Sequence, residues 1–259
     1  MNSGSRRYLC IGLGEVLWDL LPGGRQLGGA PANFAYHAHA LGAESLVVSR
    51  VGRDDLGRDL LERLNALGLA TSGISVDPVA PTGSVSVTLD PSGQPAYTIH
   101  TEVAWDLLEA GLEVLRVAAA ADAVCFGTLA QRHPVARESI RRVLQATRPE
   151  ALRIFDINLR QRFWSRDVIV ESLALATVLK LNDEELPILA ELLGGSGDDD
   201  PLGPCVEVSQ STLQLSDGGE GDARGVGHHG LGETGPLTEF PELHSKAVLK
   251  RFIYQRMLG

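Results

Sequence analysis

Apolar and polar positions along this chain alternate between two periods. Tyr8 to Leu13 is a short apolar run of strand length that ends in Gly14-Glu15. Pro31 to Leu41 is rich in alanine, with small and apolar residues at helical spacing, and Gly42 follows as a stop. Leu46 to Val51 reads as a strand. Leu56, Leu60, Leu61, Leu64 and Leu67 then form one helix face, closed by Gly68. The same rhythm predicts strands at Ala123–Phe126, Arg153–Ile157 and Val178–Leu181, and helices at Val135–Ala146, Val168–Ala176 and Glu184–Leu193. Repeated strand–helix alternation predicts an α/β fold, doubly wound, with a mostly parallel sheet and helices on both faces.

One block departs from this rhythm. Gly83 to Leu89 and Ala96 to Thr101 alternate apolar and polar residues about the turn Asp90-Pro91-Ser92-Gly93. That is a hairpin pattern. Inserted in a doubly wound domain, it is expected to project as a lid over the strand ends. A second departure begins after Leu193, where Gly194-Gly195-Ser196-Gly197-Asp198-Asp199-Asp200-Pro201 is an acidic, linker-like run. No Phe, Trp or Tyr occurs between Trp164 and Phe240, and glycines crowd Gly218 to Gly235. The expected organisation is therefore an α/β core over 8–193 and a divergent, glycine-rich region over 194–259.

Composition narrows the function classes. The 259 residues carry a formal net charge of -10, which argues against a general nucleic-acid binder, because phosphate backbones require a basic surface. A local nucleotide site is compatible with that charge. Cys10, Cys125 and Cys205 are scattered and odd in number, as expected for reduced thiols; Cys10 and Cys125 lie in apolar strand-like runs and read as buried small hydrophobes. No apolar run approaches the ~20 residues that span a bilayer, and no signal-peptide core follows the polar N-terminus, so a cytoplasmic location without membrane partners is expected.

Candidate chemistry clusters before and after the predicted helices. Gly28-Gly29-Ala30-Pro31-Ala32-Asn33 precedes the first helix. It reads either as a turn that lets a ligand approach the backbone beside Asn33, or as a helix start with Pro31 near its first position. Asp19, after the first strand, reads either as a ligand-binding acid at a strand's C-terminal end or as a solvated loop residue. His228-His229, with no third ligand at a suitable spacing, reads as loop.

Taken in order, six runs change these weights. They are Gly14-Glu15-Val16-Leu17-Trp18-Asp19, the Gly-Gly-Ala-Pro-Ala-Asn run, Val51-Gly52-Arg53-Asp54-Asp55-Leu56-Gly57, Val103-Ala104-Trp105-Asp106, Phe155-Asp156-Ile157-Asn158-Leu159-Arg160 and Lys180-Leu181-Asn182-Asp183-Glu184-Glu185. Together they resemble the ribokinase-like (PfkB-type) carbohydrate kinases, and within them the bacterial fructokinases. The resemblance implies ATP-dependent, Mg²⁺-assisted phosphorylation of a sugar hydroxyl, with fructose first among the sugars. Asp19, Gly28, Gly29 and Asn33 would hold the sugar and the hairpin would be a water-excluding lid. Arg160 would spread the charge of the transferring phosphate. Asn182 and Glu185 would organise Mg²⁺ through its waters near the nucleotide phosphates. A homodimer through the lid is a further implication.

The family's two later motifs are not both present. Leu213 to Gly221 offers Ser216, Gly218 and Gly221 as a nucleotide-contacting turn, with a glycine-rich surface loop as the alternative. The Asp-Thr-x-Gly-Ala-Gly-Asp signature, whose last aspartate removes the sugar hydroxyl proton, has no counterpart. Gly219-Glu220-Gly221-Asp222 imitates its end, but arrives too soon after Asn182 and lacks the apolar helix that should follow, so Asp222 is a poor base and none is identified. Two further readings follow. One is a catalytically inactive or truncated homologue that binds sugar or a partner, including one altered by a shifted frame or a deletion; the other is an unrelated nucleotide-binding α/β protein. Lys246–Leu258 reads as a short helix without catalytic signal.

Overall fold

The computed structural model describes residues 7–89 and 95–193. Two sheets organise them. The first elements are β1 (Leu9–Leu13), β2 (Leu17–Leu21), β3 (Gly24–Gly28), α1 (Ala30–Ala40), β4 (Glu44–Gly52), α2 (Asp55–Ala66), β5 (Ile74–Asp77), β6 (Ser84–Leu89) and β7 (Pro95–Ile99). They are followed by α3 (Leu112–Ala120), β8 (Ala123–Gly127), α4 (Pro134–Ala146), β9 (Leu152–Asp156), α5 (Arg166–Leu175), β10 (Val178–Lys180) and α6 (Glu185–Leu193). Two 3-10 turns, Ala104–Leu107 and Leu129–Arg132, flank α3 and β8.

The larger sheet has the order β10-β9-β8-β1-β4-β5, and every pair in it is parallel. All its strands therefore end on one edge. The chain runs from β1 outward to β4 and β5, then returns to β8 on the other side. The crevice at the C-terminal ends of β1 and β8 is thus the topological switch point, where open α/β sheets bind ligands. The central strands are buried on both faces, and Ile11, Leu13, Val124, Phe126 and Phe155 belong to the main core, with Phe126 and Phe155 stacked 5.2 Å apart. Cys10 and Cys125 are buried as their apolar surroundings predict.

The smaller sheet is broader than the hairpin that the sequence pattern suggests. β6 and β7 pair antiparallel as expected, but β2 and β3 add two more strands, in the order β3-β2-β6-β7. Asp19 therefore lies within β2, opposite Gln26 and Val85, and not in a loop at the end of the first strand. Gly24-Arg25-Gln26-Leu27-Gly28 lacks β-branched residues, so its strand state comes from pairing with β2 and not from propensity. β5 and α3 are two further elements that the sequence pattern above does not assign. The tip of the β6–β7 hairpin at Asp90–Gly93 lies outside the described residues, as do Cys205, the segment over 194–259 and the terminal helix expected at Lys246–Leu258.

Three contacts tie this sheet to the core. The Asp54 carboxylate caps α2 through the Gly57 amide (2.7 Å) and also accepts from the Thr82 amide (2.8 Å) and hydroxyl (2.6 Å) just before β6. The Trp18 indole donates to the Leu56 carbonyl (2.9 Å). Beyond β7, the Arg132 guanidinium donates to the His100 carbonyl (2.7 Å) and to both oxygens of Asp106 (2.7 and 2.9 Å). It lies 4.0 Å from the Trp105 ring centroid and 4.8 Å from that of Phe163. The Arg132 and Asp106 side chains are 8% and 5% exposed, so removing one leaves the other as an uncompensated buried charge. Arg132→Leu should lower unfolding free energy by about 3–5 kcal/mol, read from urea unfolding at pH 7; a loss below ~1 kcal/mol would show that the pair is solvated.

Candidate active site

The lid sheet faces the edge of the larger sheet across a cleft. Because side chains alternate along a strand, one lid face carries Leu17, Asp19, Leu21, Val85, Val87, Tyr97 and Ile99 toward the cleft. Asp19 is the charged group in that otherwise apolar row. The opposite wall comes from the strand ends: Glu15 after β1, Asp156 at the end of β9 with Asn158 and Arg160 beyond it, and Lys180 at the end of β10 with Asn182 and Glu185 beyond it. Gly28 at the end of β3, Gly29 and Asn33 of α1 close the base.

The Gly28-Gly29 turn is closely packed, and at Gly29 the neighbour is backbone. A Cβ at Gly28 would lie 2.5 Å from Asp19 Oδ2, and one at Gly29 would lie 2.5 Å from the Glu15 carbonyl oxygen. Gly29 also has φ of 110°, in the left-handed region that favours glycine. It is the N-cap of α1 without a side-chain cap, and Pro31 occupies the helix's first positions. The run is a helix start, and its backbone also lines the cleft. Asn33 is buried one turn on, with its amide donating to the Gly29 carbonyl (2.9 Å).

The loop after β9 is held in an unusual path. Asn158 and Gln161 have φ of 41° and 48°, so two left-handed residues bracket Arg160. The Thr128 hydroxyl donates to the Ile157 carbonyl (2.7 Å), the Leu159 amide to Glu185 Oε1 (2.8 Å) and the Phe163 amide to the Arg160 carbonyl (3.0 Å). Gln161 Nε2 reaches across to the Tyr97 carbonyl on the lid (2.9 Å). Arg160 itself is exposed, and its charge is felt by both Asp19 and Glu15. Beneath it, Lys180 Nζ donates to both oxygens of Asp156 at 2.9 Å.

Asn182 and Glu185 form a reciprocal cap on α6. Asn182 Oδ1 accepts from the Glu185 amide (2.8 Å), and Glu185 Oε2 accepts from the Asn182 amide (2.9 Å). With Oε1 on Leu159, both oxygens of the 6%-exposed Glu185 already accept one backbone N–H. Each retains a second lone pair, which fits a metal-bound water better than direct chelation. Among the described residues, no cluster of three His, Cys, Asp or Glu side chains forms a metal site of its own.

Sequence reasoning placed Asp19, Gly28, Gly29, Asn33, Arg160, Asn182 and Glu185, and the fold brings all seven to this cleft. Ser216, Gly218, Gly221 and Asp222 lie outside the described residues. The residue it passed over is Glu15, 1% exposed on the floor of the cleft. Its signal was an acid directly after a buried strand. Burial pushes the Glu15 carboxyl up to about 7; backbone amides oppose this, the Asp156 charge adds to it, and Arg160 opposes it. Burial likewise raises the Asp19 carboxyl, against the pull of Arg160.

These geometries sit within a recognisable family. Residues 23–210 match the family described as pfkB family carbohydrate kinase. A fructokinase from Klebsiella pneumoniae is 32% identical over 217 residues, covering 78% of this chain and 68% of that protein. The crystal structure of an uncharacterized sugar kinase from Pyrococcus horikoshii superposes with a TM-score of 0.63 at 30% identity, over 71% of this chain and 66% of that one. The sequence match to the Pyrococcus protein spans about half of its length, 53%. A fructokinase from Xylella fastidiosa superposes with a TM-score of 0.63 at 25% identity, over 74% of this chain and 64% of that one.

Glu15 yields a stability prediction. The folded state holds its proton more tightly than the unfolded chain, whose carboxyl has the ordinary value of 4.5. Glu15 therefore subtracts stability as pH rises from about 4.5 through about 7, by about 3 kcal/mol in all. Glu15→Gln should remove that slope, so that the variant gains on the parent between pH 5 and pH 8 in thermal unfolding. A constant difference across that range would contradict the buried acid. By matching motif, fold and relatives, this chain belongs to the pfkB family of carbohydrate kinases.

Proposed function

We propose that this chain binds a hexose, fructose first among the candidates, and presents one of its hydroxyls for phosphorylation by ATP. The observation that carries this reading is Asp19: a half-buried carboxylate, packed against side-chain-free Gly28 and aimed from an apolar lid face toward the cleft. A carboxylate in such a setting accepts paired hydroxyl hydrogen bonds, while apolar neighbours cover the sugar's C–H faces. The relatives support the choice of ligands. Matching proteins are named fructokinases, and the Pyrococcus sugar kinase has been solved in complex with ATP.

In this reading Asp19, the Gly28-Gly29 backbone and Asn33 orient the sugar, and the lid excludes water that would otherwise compete for the phosphate. Arg160, on its pinned loop, meets the phosphate between sugar and nucleotide and spreads its charge through a planar fork of donors. Asn182 and Glu185 hold waters of Mg²⁺, which when bound neutralises phosphate charge. No described residue is assigned as the base that takes the hydroxyl proton. The sequence beyond 193 lacks the family's Gly-Ala-Gly-Asp signature, and this favours a second reading: a homologue that binds sugar without turning it over.

A coupled ADP-release assay with fructose, ribose and 2-keto-3-deoxygluconate separates the readings. The kinase reading expects release with fructose above the sugar-free control; release equal to the control for all three leaves binding alone. Asp19→Ala should weaken fructose binding by roughly 10- to 100-fold in calorimetry, the cost of a lost hydrogen-bonding charge. An unchanged dissociation constant would remove Asp19 from the site.

A further inference from the structure

The lid sheet ends in β7, which pairs with β6 on one side and with no described strand on the other. An edge strand of this kind is among the less supported members of a sheet. Tyr97 and Ile99 of β7 line the cleft, Tyr97 from an exposed position. A side chain from the opposite wall meets this strand: Gln161 Nε2 donates to the Tyr97 carbonyl at 2.9 Å. The backbone of Gln161 sets up that reach. Its φ of 48° lies in the left-handed region, which turns the loop sharply after Arg160. The turn is closed twice, by the Phe163 amide on the Arg160 carbonyl (3.0 Å) and by the Trp164 indole N–H on the Gln161 carbonyl (3.0 Å). The same turn supports the other end of β7. The Phe163 ring lies 4.8 Å from the Arg132 guanidinium, which donates to the His100 carbonyl just beyond the strand.

We propose that Gln161 is a positioning residue that latches β7 over the cleft, so that a single side-chain hydrogen bond sets how long a bound sugar is retained. This rests on the sugar site proposed above. The two ends of β7 are held very differently. At His100 the tie is a guanidinium that is itself fixed on both oxygens of buried Asp106 and packed on Trp105. Breaking it would disturb a buried ion pair. At Tyr97 the tie is one neutral hydrogen bond exposed to solvent, so water can replace it. Its net worth corresponds to roughly 3- to 10-fold in an equilibrium. β7 is therefore expected to give way at Tyr97 first and to remain anchored at His100. That release uncovers the cleft between the lid and Arg160, since Gln161 follows Arg160 directly in the chain. The strand that covers the sugar and the arginine that faces the phosphate are thereby joined through adjacent residues. Sequence pattern carries no trace of this latch, because residues 97 and 161 belong to separate elements and the contact uses a backbone carbonyl.

Two variants of the full chain test this. Gln161→Met keeps the length of the side chain and loses the donor; Gln161→Lys keeps a donor at similar reach. Without any sugar, amide hydrogen exchange at residues 96–99 should quicken by roughly 3- to 10-fold in Gln161→Met, the worth of one such bond, and return toward the parent in Gln161→Lys. Exchange in α4 should not change in either variant. Unchanged exchange at 96–99 in Gln161→Met overturns the latch, and so does an equal quickening in α4, which would mark a general loss of stability. Failure of Gln161→Lys to restore protection also overturns it, because the donor would then not be the agent. With fructose, stopped-flow measurement should show dissociation faster by the same factor in Gln161→Met, and an unchanged dissociation rate overturns the link to retention. Exchange that responds as expected, in a protein that binds no fructose, refutes instead the sugar-site reading and with it the role in retention.

Discussion

A side chain cannot occupy position 29, because a Cβ there would lie 2.5 Å from the Glu15 carbonyl oxygen, and one at position 28 would displace the Asp19 carboxylate, 2.5 Å away. This packing constraint fixes the rest of the cleft. It sets the start of α1 directly against the end of β1 and against β2 of the lid sheet, so that one turn of backbone joins the two sheets. Asn33 follows one helical turn later, and Asp19 is held at the distance that Gly28 permits. A larger residue at position 29 would push the start of α1 off the backbone that follows β1, and one at position 28 would displace the Asp19 side chain, since interiors are close-packed.

Around that contact the lid is tied down at several independent points. Asp54 binds Thr82 at the entry to β6. Arg132 binds His100 at the exit from β7, and Gln161 reaches Tyr97 from the loop that carries Arg160. The Asp54 carboxyl shows how firmly the first tie holds: burial raises it, but the Thr82 hydroxyl and the amides of Thr82 and Gly57 outweigh burial and bring it below the ordinary aspartate range. Arg132 also touches Phe163, whose amide closes the turn at Arg160. The lid and the loop after β9 thus share supports, which links the position of the lid to the position of Arg160.

Much of this was legible in the sequence because it depends on local pattern. Strand–helix alternation identified the parallel sheet, and the order of short motifs brought Asp19, Asn33, Arg160 and Glu185 into one account before any coordinates. What was not legible depends on pairing at a distance. β3 contains no residue that favours a strand and exists because β2 lies beside it. That pairing converted Asp19 from a residue after β1 into a residue of the lid. The partnership of Arg132 with Asp106 joins positions 26 apart on separate turns and leaves no periodic trace. Glu15 reads in the sequence as an ordinary acid after a strand; only its burial marks it. Glu185 combined two signals, a family motif and a helix cap, and the structure displays the cap.

In the function proposed above, the start of α1, the lid and the loop at Arg160 form one ligand site, although they belong to different parts of the chain. Amide hydrogen exchange with and without saturating fructose tests this directly, because it reads each segment separately. Slower exchange is expected at residues 28–33 and at residues 158–161 together, with the β2 amides of the lid following. Protection confined to one of these segments, or slowing in neither, would contradict it.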